Sequence, residues 1–159
     1  MSALLLIAST IAADCAACIT PQAILAMNRE ELCALYRSAE PGRQPCGSMR
    51  GTAIWAPGEK RNVRASKFTR LGWQGKIFRE DGTIRNRVIG LPMFKAEVYH
   101  GASWLDGCPS IIMDYADSKL FPDVRDEIRE VAPGIYLGIT YLRACPAPEL
   151  AMFFILETK

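Results

Sequence analysis

Asp123-Val124-Arg125-Asp126-Glu127-Ile128-Arg129-Glu130-Val131-Ala132-Pro133-Gly134-Ile135-Tyr136-Leu137-Gly138 is the stretch on which the fold turns. Its first half reads two ways. As a helix, Asp123 caps it, and Val124, Ile128 and Val131 recur at helical spacing. As a strand, one face carries Val124, Asp126, Ile128 and Glu130, the other Arg125, Glu127, Arg129 and Val131, so neither face is cleanly apolar. Periodicity alone favours the helix. Pro133-Gly134 favours the strand, because it joins this segment directly to the apolar Ile135–Tyr141 run as a hairpin turn would. A strand over Val124–Val131 is the reading adopted.

Working outward, the chain from Ser48 to Glu157 divides into similar short β-rich runs. Strands are expected at Ser48–Trp55, Thr69–Arg79, Thr83–Ile89, Phe94–His100 and Ser110–Tyr115. After Val124–Val131 come Ile135–Tyr141 and Leu150–Glu157. Pro57-Gly58, Asp81-Gly82, Leu91-Pro92, Asp106-Gly107 and Pro133-Gly134 punctuate them. Eight strands is the number at which a closed barrel has room for side chains or one small ligand. The expected fold class is all-β, an eight-stranded antiparallel barrel with one N-terminal helix. For that helix Asn28 is the N-cap and Glu31 its reciprocal partner. Met27 and Leu32 form a hydrophobic staple, and Leu32, Leu35 and Tyr36 line one face. Pro41-Gly42 ends it. Ile24 and Leu25 suggest a short turn after Pro21.

The chain has 159 residues, half of them hydrophobic, and a formal net charge of +2. That is enough for one domain with its own core. The expected organisation is a secretory signal segment over 1–17, a helix and linker over 18–47, and the barrel over 48–159. The apolar Leu4–Ile11 run followed by small residues supports export to the periplasm or the extracellular space, although no Lys or Arg precedes it. Cys15-Ala-Ala-Cys18 has metal or redox spacing but lies beside the expected cleavage site. Cys33 could pair with Cys46 and Cys108 with Cys145; connectivity stays open. No nucleotide-binding glycine loop opens a helix, and no cofactor or metal site is expected.

Charge is unevenly placed. From Glu59 to Arg87 there are nine bases against three acids, and from Asp106 to Glu130 seven acids against three bases. The basic 60–87 region is a candidate for contact with a membrane surface. Only Phe68, Trp73 and Phe78 offer rings beside that charge, so nucleic acid is not an expected partner.

The run Trp73-Gln74-Gly75-Lys76-Ile77-Phe78 resembles the Trp-x-Gly-Lys-x-Phe stretch of small lipocalin-like (calycin) barrel domains of uncharacterised function, whose motif is of the Gly-x-Trp-x-Gly type. In this chain Gly72 directly precedes Trp73. Tyr99-His100-Gly101, Asp114-Tyr115, the Arg125–Gly138 hairpin and Phe153–Glu157 follow in similar order. The resemblance covers roughly 71–157. It implies a lipocalin-like barrel that binds an apolar or amphipathic small molecule, and it implies no established activity.

On this reading Trp73, Tyr99, Tyr115 and Tyr136 line a cavity, with Arg125 or Arg129 fixing the ligand's polar end by forked hydrogen bonds. The same arginines could instead pair with Glu127 and Asp114 in a structural network. A second reading is a small enzyme doing acid–base chemistry of the decarboxylase, isomerase or cyclase type. Asp114, Glu127, Tyr99 and His100 are its candidate groups, and Asp114 with Asp126 a possible acid pair. A carboxylate and a tyrosine converging in a pocket would favour it; an all-apolar pocket would favour the carrier. His100, the only histidine, is read as a rim residue. A third reading is an envelope interaction module with no ligand.

Overall fold

The computed structural model describes residues 19–59 and 72–158. The expected signal segment, the Cys15/Cys18 pair and the 69–71 end of the second expected strand lie outside them. Eight strands run β1 (Gly47–Ile54), β2 (Trp73–Phe78), β3 (Thr83–Val88), β4 (Leu91–Ala102), β5 (Pro109–Asp114), β6 (Val124–Ala132), β7 (Ile135–Leu142) and β8 (Glu149–Thr158). Each pairs antiparallel with its sequence neighbour, and β1 closes the ring by pairing with β8 from Met49↔Thr158 to Ile54↔Phe153. Asp123–Ala132 is therefore not a helix: β6 pairs with β5 and with β7 along most of its length.

The expected strands are all present, with ends shifted by a few residues. The largest difference is at β4, expected to begin at Phe94 after a Leu91-Pro92 turn. It begins at Leu91 instead, because Ile89 and Gly90 make the turn themselves with φ of 50° and 80°. Positive φ at both central positions is the geometry whose twist matches the flanking strands.

Two short helices precede the barrel where one was expected: α1 (Pro21–Ala26) and α2 (Arg29–Ser38). The Thr20 hydroxyl accepts from Ala23 N, and Pro21 occupies the first turn, where its missing N–H costs nothing. Asn28 and Glu31 form the expected capping box, with Asn28 Oδ1 accepting from Glu31 N at 3.0 Å and Glu31 Oε2 from Asn28 N at 2.8 Å. Ile24, Leu32 and Tyr36 are fully buried against Ile54, Leu137, Ile139, Phe153 and Ile155, which face outward from the barrel wall. The wall on that side is thus covered on both faces, which explains its nearly continuous apolar sequence.

Inside the ring, Met49, Phe78, Ile84, Ala96, Ile111, Met113, Ile128, Tyr136, Phe154 and Leu156 form a second buried cluster. The glycines of the Trp-x-Gly run fit this geometry. Gly75 has φ of 121°, and a Cβ there would strike Met49 O and Gly51 N on the neighbouring strand. The β2–β3 register shifts between Trp73 and Gly75, an irregularity associated with local bending of the strand. Trp73 meets Phe154 edge-on at 5.7 Å between ring centroids. Cys33, Cys46, Cys108 and Cys145 are all free, so neither suggested bridge forms.

Candidate functional site

One end of the barrel carries the last residues of β1, β3, β5 and β7 and the first of β2, β4, β6 and β8. A cavity of about 250 Å³ opens there, lined by Ala53, Trp73, Val88, Phe94, Met152 and Phe154 among others, with Trp55 and Phe121 at its edge. The β3–β4 register shifts opposite Asn86, and Phe94, with φ of 48°, is the unmatched residue. The Phe94 ring meets Phe121 of the β5–β6 connection edge-on at 4.8 Å.

The polar groups of this cavity are gathered in one place. Lys76 Nζ donates to Asp126 Oδ2 at 2.6 Å, to Tyr115 Oη at 2.7 Å and to Asn86 Oδ1 at 3.0 Å. Tyr115 Oη donates to Asp126 Oδ2 at 3.2 Å and accepts from Asn86 Nδ2 at 2.7 Å. Trp73 Nε1 donates to Asn86 Oδ1 at 2.9 Å, and Thr140 Oγ1 to Asp126 Oδ1 at 2.6 Å. The ammonium also lies 5.4–5.6 Å from the ring centroids of Trp73, Tyr115 and Phe154. All three donors of Lys76 are engaged, and the acceptors that retain lone pairs are Asp126 and Thr140.

Burial opposes the charge on Lys76, but the Asp126 carboxylate and Tyr115 outweigh it and hold its pKa above the ordinary value. Burial pushes the Tyr115 phenol up to about 12, with Lys76 pulling the other way. At neutral pH Lys76 is therefore an ammonium and Tyr115 a neutral phenol, and the ion pair of Lys76 with Asp126 sets opposite charges 2.6 Å apart.

Of the expected ligand-binding residues, the structure brings Trp73 and Tyr115 together at this cavity. Tyr136 faces the interior away from it, buried with its hydroxyl donating to Arg43 O at 2.7 Å. Tyr99 is on the outside of the wall, two-fifths exposed, and donates to Asp114 Oδ2 at 2.9 Å.

Arg125 and Arg129 also belong to the outer face, because the alternation of β6 turns Asp126 and Ile128 inward. Arg125 donates to Ala102 O, pairs with Glu127 at 3.2 Å and stacks 4.2 Å from the Trp104 ring centroid. Arg129, almost wholly buried, holds Asp106 with both terminal nitrogens and donates to Tyr36 O, Pro109 O, Ser110 Oγ and Cys108 O. It clamps α2 and the β4–β5 connection to the wall, so neither arginine fixes a ligand in the cavity.

The residues named for acid–base chemistry do not converge either. Asp114 pairs with Arg143 outside the barrel, and His100 is exposed. Glu127 accepts from Ser103 Oγ and Trp104 N under the outer layer, where burial raises its pKa.

Lys76, Asn86 and Thr140 were not singled out by the sequence. One signal was available: Lys76 stands two residues before the inward Phe78, and Asn86 two after Ile84. A lysine in phase with the interior requires a partner there. Among the described residues no group of His, Cys, Asp and Glu could hold a metal ion, and no helix is long and apolar enough to cross a membrane.

No protein-family model matches this chain, and no curated protein matches it. Among solved structures it is similar to one described as "Crystal structure of protein from Thermomonospora curvata". The TM-score is 0.55, with 17% sequence identity over 83% of this chain and 88% of that one. The likeness is one of fold.

Proposed function

We propose that the protein is a lipocalin-like carrier that holds a small amphipathic molecule in the barrel. The observation that carries this reading is the single polar cluster in an otherwise apolar cavity, the usual pattern of a small-molecule site. At about 250 Å³ the space lies just below the roughly 300–1,000 Å³ of drug-sized sites, so the ligand is small. The opposite charges of Lys76 and Asp126 offset each other, which disfavours a carboxylate or phosphate end. Its free capacity is for accepting, at Asp126 and Thr140, so the bound end is neutral and donates a hydrogen bond, as an alcohol does. The apolar Leu4–Ile11 run followed by small residues is what favours export in this reading.

The test is uptake of N-phenyl-1-naphthylamine, together with solvent extraction of the folded protein and mass spectrometry. Saturable dye uptake in wild type and its loss in Ala53→Phe, which fills the space, support the proposal. An extract with no small molecule and no saturable uptake sink it.

One observation favours a second reading, the 3.2 Å contact between Tyr115 and Asp126 beside Lys76. In that reading a ligand carbonyl replaces Asn86 Oδ1 as the acceptor of one Lys76 donor, while Asp126 takes a proton from the adjacent carbon. Deuterium incorporation at that carbon in heavy water, abolished in Asp126→Asn, would distinguish this enzyme from a carrier.

A further inference from the structure

The side-chain donors at the polar end of the cavity are all engaged. Lys76 Nζ donates to Asp126, Tyr115 and Asn86, and Asn86 Nδ2 donates to Tyr115 Oη and Phe94 O. The Tyr115 and Thr140 hydroxyls both donate to Asp126, and Trp73 Nε1 donates to Asn86. Acceptor capacity is what remains. Asp126 Oδ1 accepts from Thr140 alone among the described residues, so lone pairs are left on it and on Thr140 Oγ1. Asp126 and Thr140 are cross-strand partners on β6 and β7, which sets these lone pairs side by side on one wall.

That wall limits the kind of guest. An acceptor atom brought down to it meets no hydrogen, and an unpaired polar atom in an apolar enclosure is costly. A hydroxyl on saturated carbon carries a strongly accepting oxygen. A carbonyl would have to displace a partner of Lys76 first. An indole N–H, by contrast, donates and accepts nothing. A phenol comes close to that, because delocalisation of its oxygen lone pair into the ring weakens it as an acceptor and strengthens it as a donor. A carboxylate rewards the stronger donor, since hydrogen bonds to an ionised group are charge-assisted.

The remaining walls select the body of the guest by an independent criterion. Trp73 and Phe154 stand at 80° with ring centroids 5.7 Å apart, and Phe94 and Phe121 at 90° and 4.8 Å. All four line the cavity. Each perpendicular pair sets an electron-rich face beside an electron-poor edge, so a flat aromatic guest finds partners for its own faces and its own rim. A saturated ring of the same size gains from area alone.

We infer that the cavity takes a flat aromatic molecule whose one polar group is a hydrogen-bond donor, a phenol or an indole, with that donor on Asp126 and Thr140. This rests on the carrier reading and narrows it. At about 250 Å³ the space suits a small fused ring system.

The test is displacement of N-phenyl-1-naphthylamine from wild type by 2-naphthol, naphthalene, 2-naphthaldehyde and decahydro-2-naphthol, with the fluorescence of 2-naphthol itself as a direct reading. The naphthol is expected to bind tightest. Naphthalene lacks the donor and should be weaker by about tenfold or more, the worth of a hydrogen bond to a charged group. Decahydro-2-naphthol keeps the donor and loses the rings, and should be weaker by about two- to tenfold for each ring pair it forgoes. In Lys76→Met/Asp126→Leu, shown to be folded by its thermal transition, the preference for 2-naphthol over naphthalene should vanish; if that variant does not fold, the wild-type series decides alone. Equal binding of 2-naphthol and naphthalene by wild type overturns the inference. So does equal or tighter binding of the saturated alcohol, or an unchanged preference in the folded double variant. Tighter binding of the aldehyde overturns it in favour of a carbonyl ligand. Saturable dye uptake without the expected order rejects the ligand class and leaves the carrier reading standing, whereas the absence of both dye uptake and 2-naphthol binding removes the two together.

Discussion

Lys76 and Asp126 meet across the barrel interior at 2.6 Å, both side chains almost shut off from solvent. A buried pair of this kind is weak evidence for stability as a pair, yet breaking it on one side leaves an uncompensated charge. Lys76→Met is therefore expected to lower the unfolding free energy by about 3–5 kcal/mol. Adding Asp126→Leu should recover at least about 2 kcal/mol of that loss. Urea unfolding of the two single variants and the double variant measures both effects.

Alkaline pH should weaken the fold. Lys76 is held above 10.5 by Asp126 and Tyr115 against its burial, and burial raises Tyr115 from 10.0 to about 12. Tyr136 rises to about 12 through burial, with Glu130 adding to it. In each case the folded protein keeps its proton to higher pH than the unfolded chain does. The stability contributed is intact below about pH 10 and declines as pH rises through the folded values. For Tyr115 alone the two-unit rise corresponds to roughly 2–3 kcal/mol by about pH 12. Urea midpoints across that range, with Tyr115→Phe for comparison, give the slope.

Arg129 is a clamp that lysine cannot replace. Its planar fork serves Asp106, three backbone carbonyls near the β4–β5 connection and α2, and the Ser110 hydroxyl. A lysine offers three donors on a flexible stem. Arg129→Lys should cost about 2–4 kcal/mol, as several buried acceptors lose their partners. Dye uptake by the folded variant should match wild type, because this residue is outside the cavity. A loss of uptake at unchanged stability would contradict the assignment.

Gly75→Ala should be among the most damaging small changes in the barrel. It forces a side chain into φ of 121° and into contact with the backbone of β1. A cost of at least about 3 kcal/mol is expected, above the 1–2 kcal/mol of left-handed backbone alone. Gly82→Ala, where a Cβ meets open space at φ of 73°, provides the control with only the backbone cost. Thermal unfolding of the two variants separates the terms.

Strand count, order and most turns were legible because glycine, proline and aspartate mark tight connections by backbone chemistry that acts locally. The direction of β6 was not. Its two faces both carry charge, and a strand covered by α2 outside and by the interior cluster inside has no solvent face to betray its phase. The arginines that looked like ligand anchors are buried by the α2 and β4–β5 cover, which periodicity within one strand cannot reveal. Tyr99 was misplaced for a related reason. Inward Phe94, Ala96 and Val98 put it in the outward phase of β4, and aromatic character alone does not tell one face of a strand from the other. Lys76 is a charge pointing into a core, and that shows only once the inward phase of β2 is known.

The seam between β1 and β8 sets the order of assembly during synthesis. The ring cannot be sealed until the closing strand, residues 149–158, has emerged from the ribosome. Until then β1 presents an unpaired edge on one side and β7 on the other, each able to recruit a foreign strand. A nascent chain stalled before residue 149 would therefore be a natural client for a holding chaperone, and the completed ring would not.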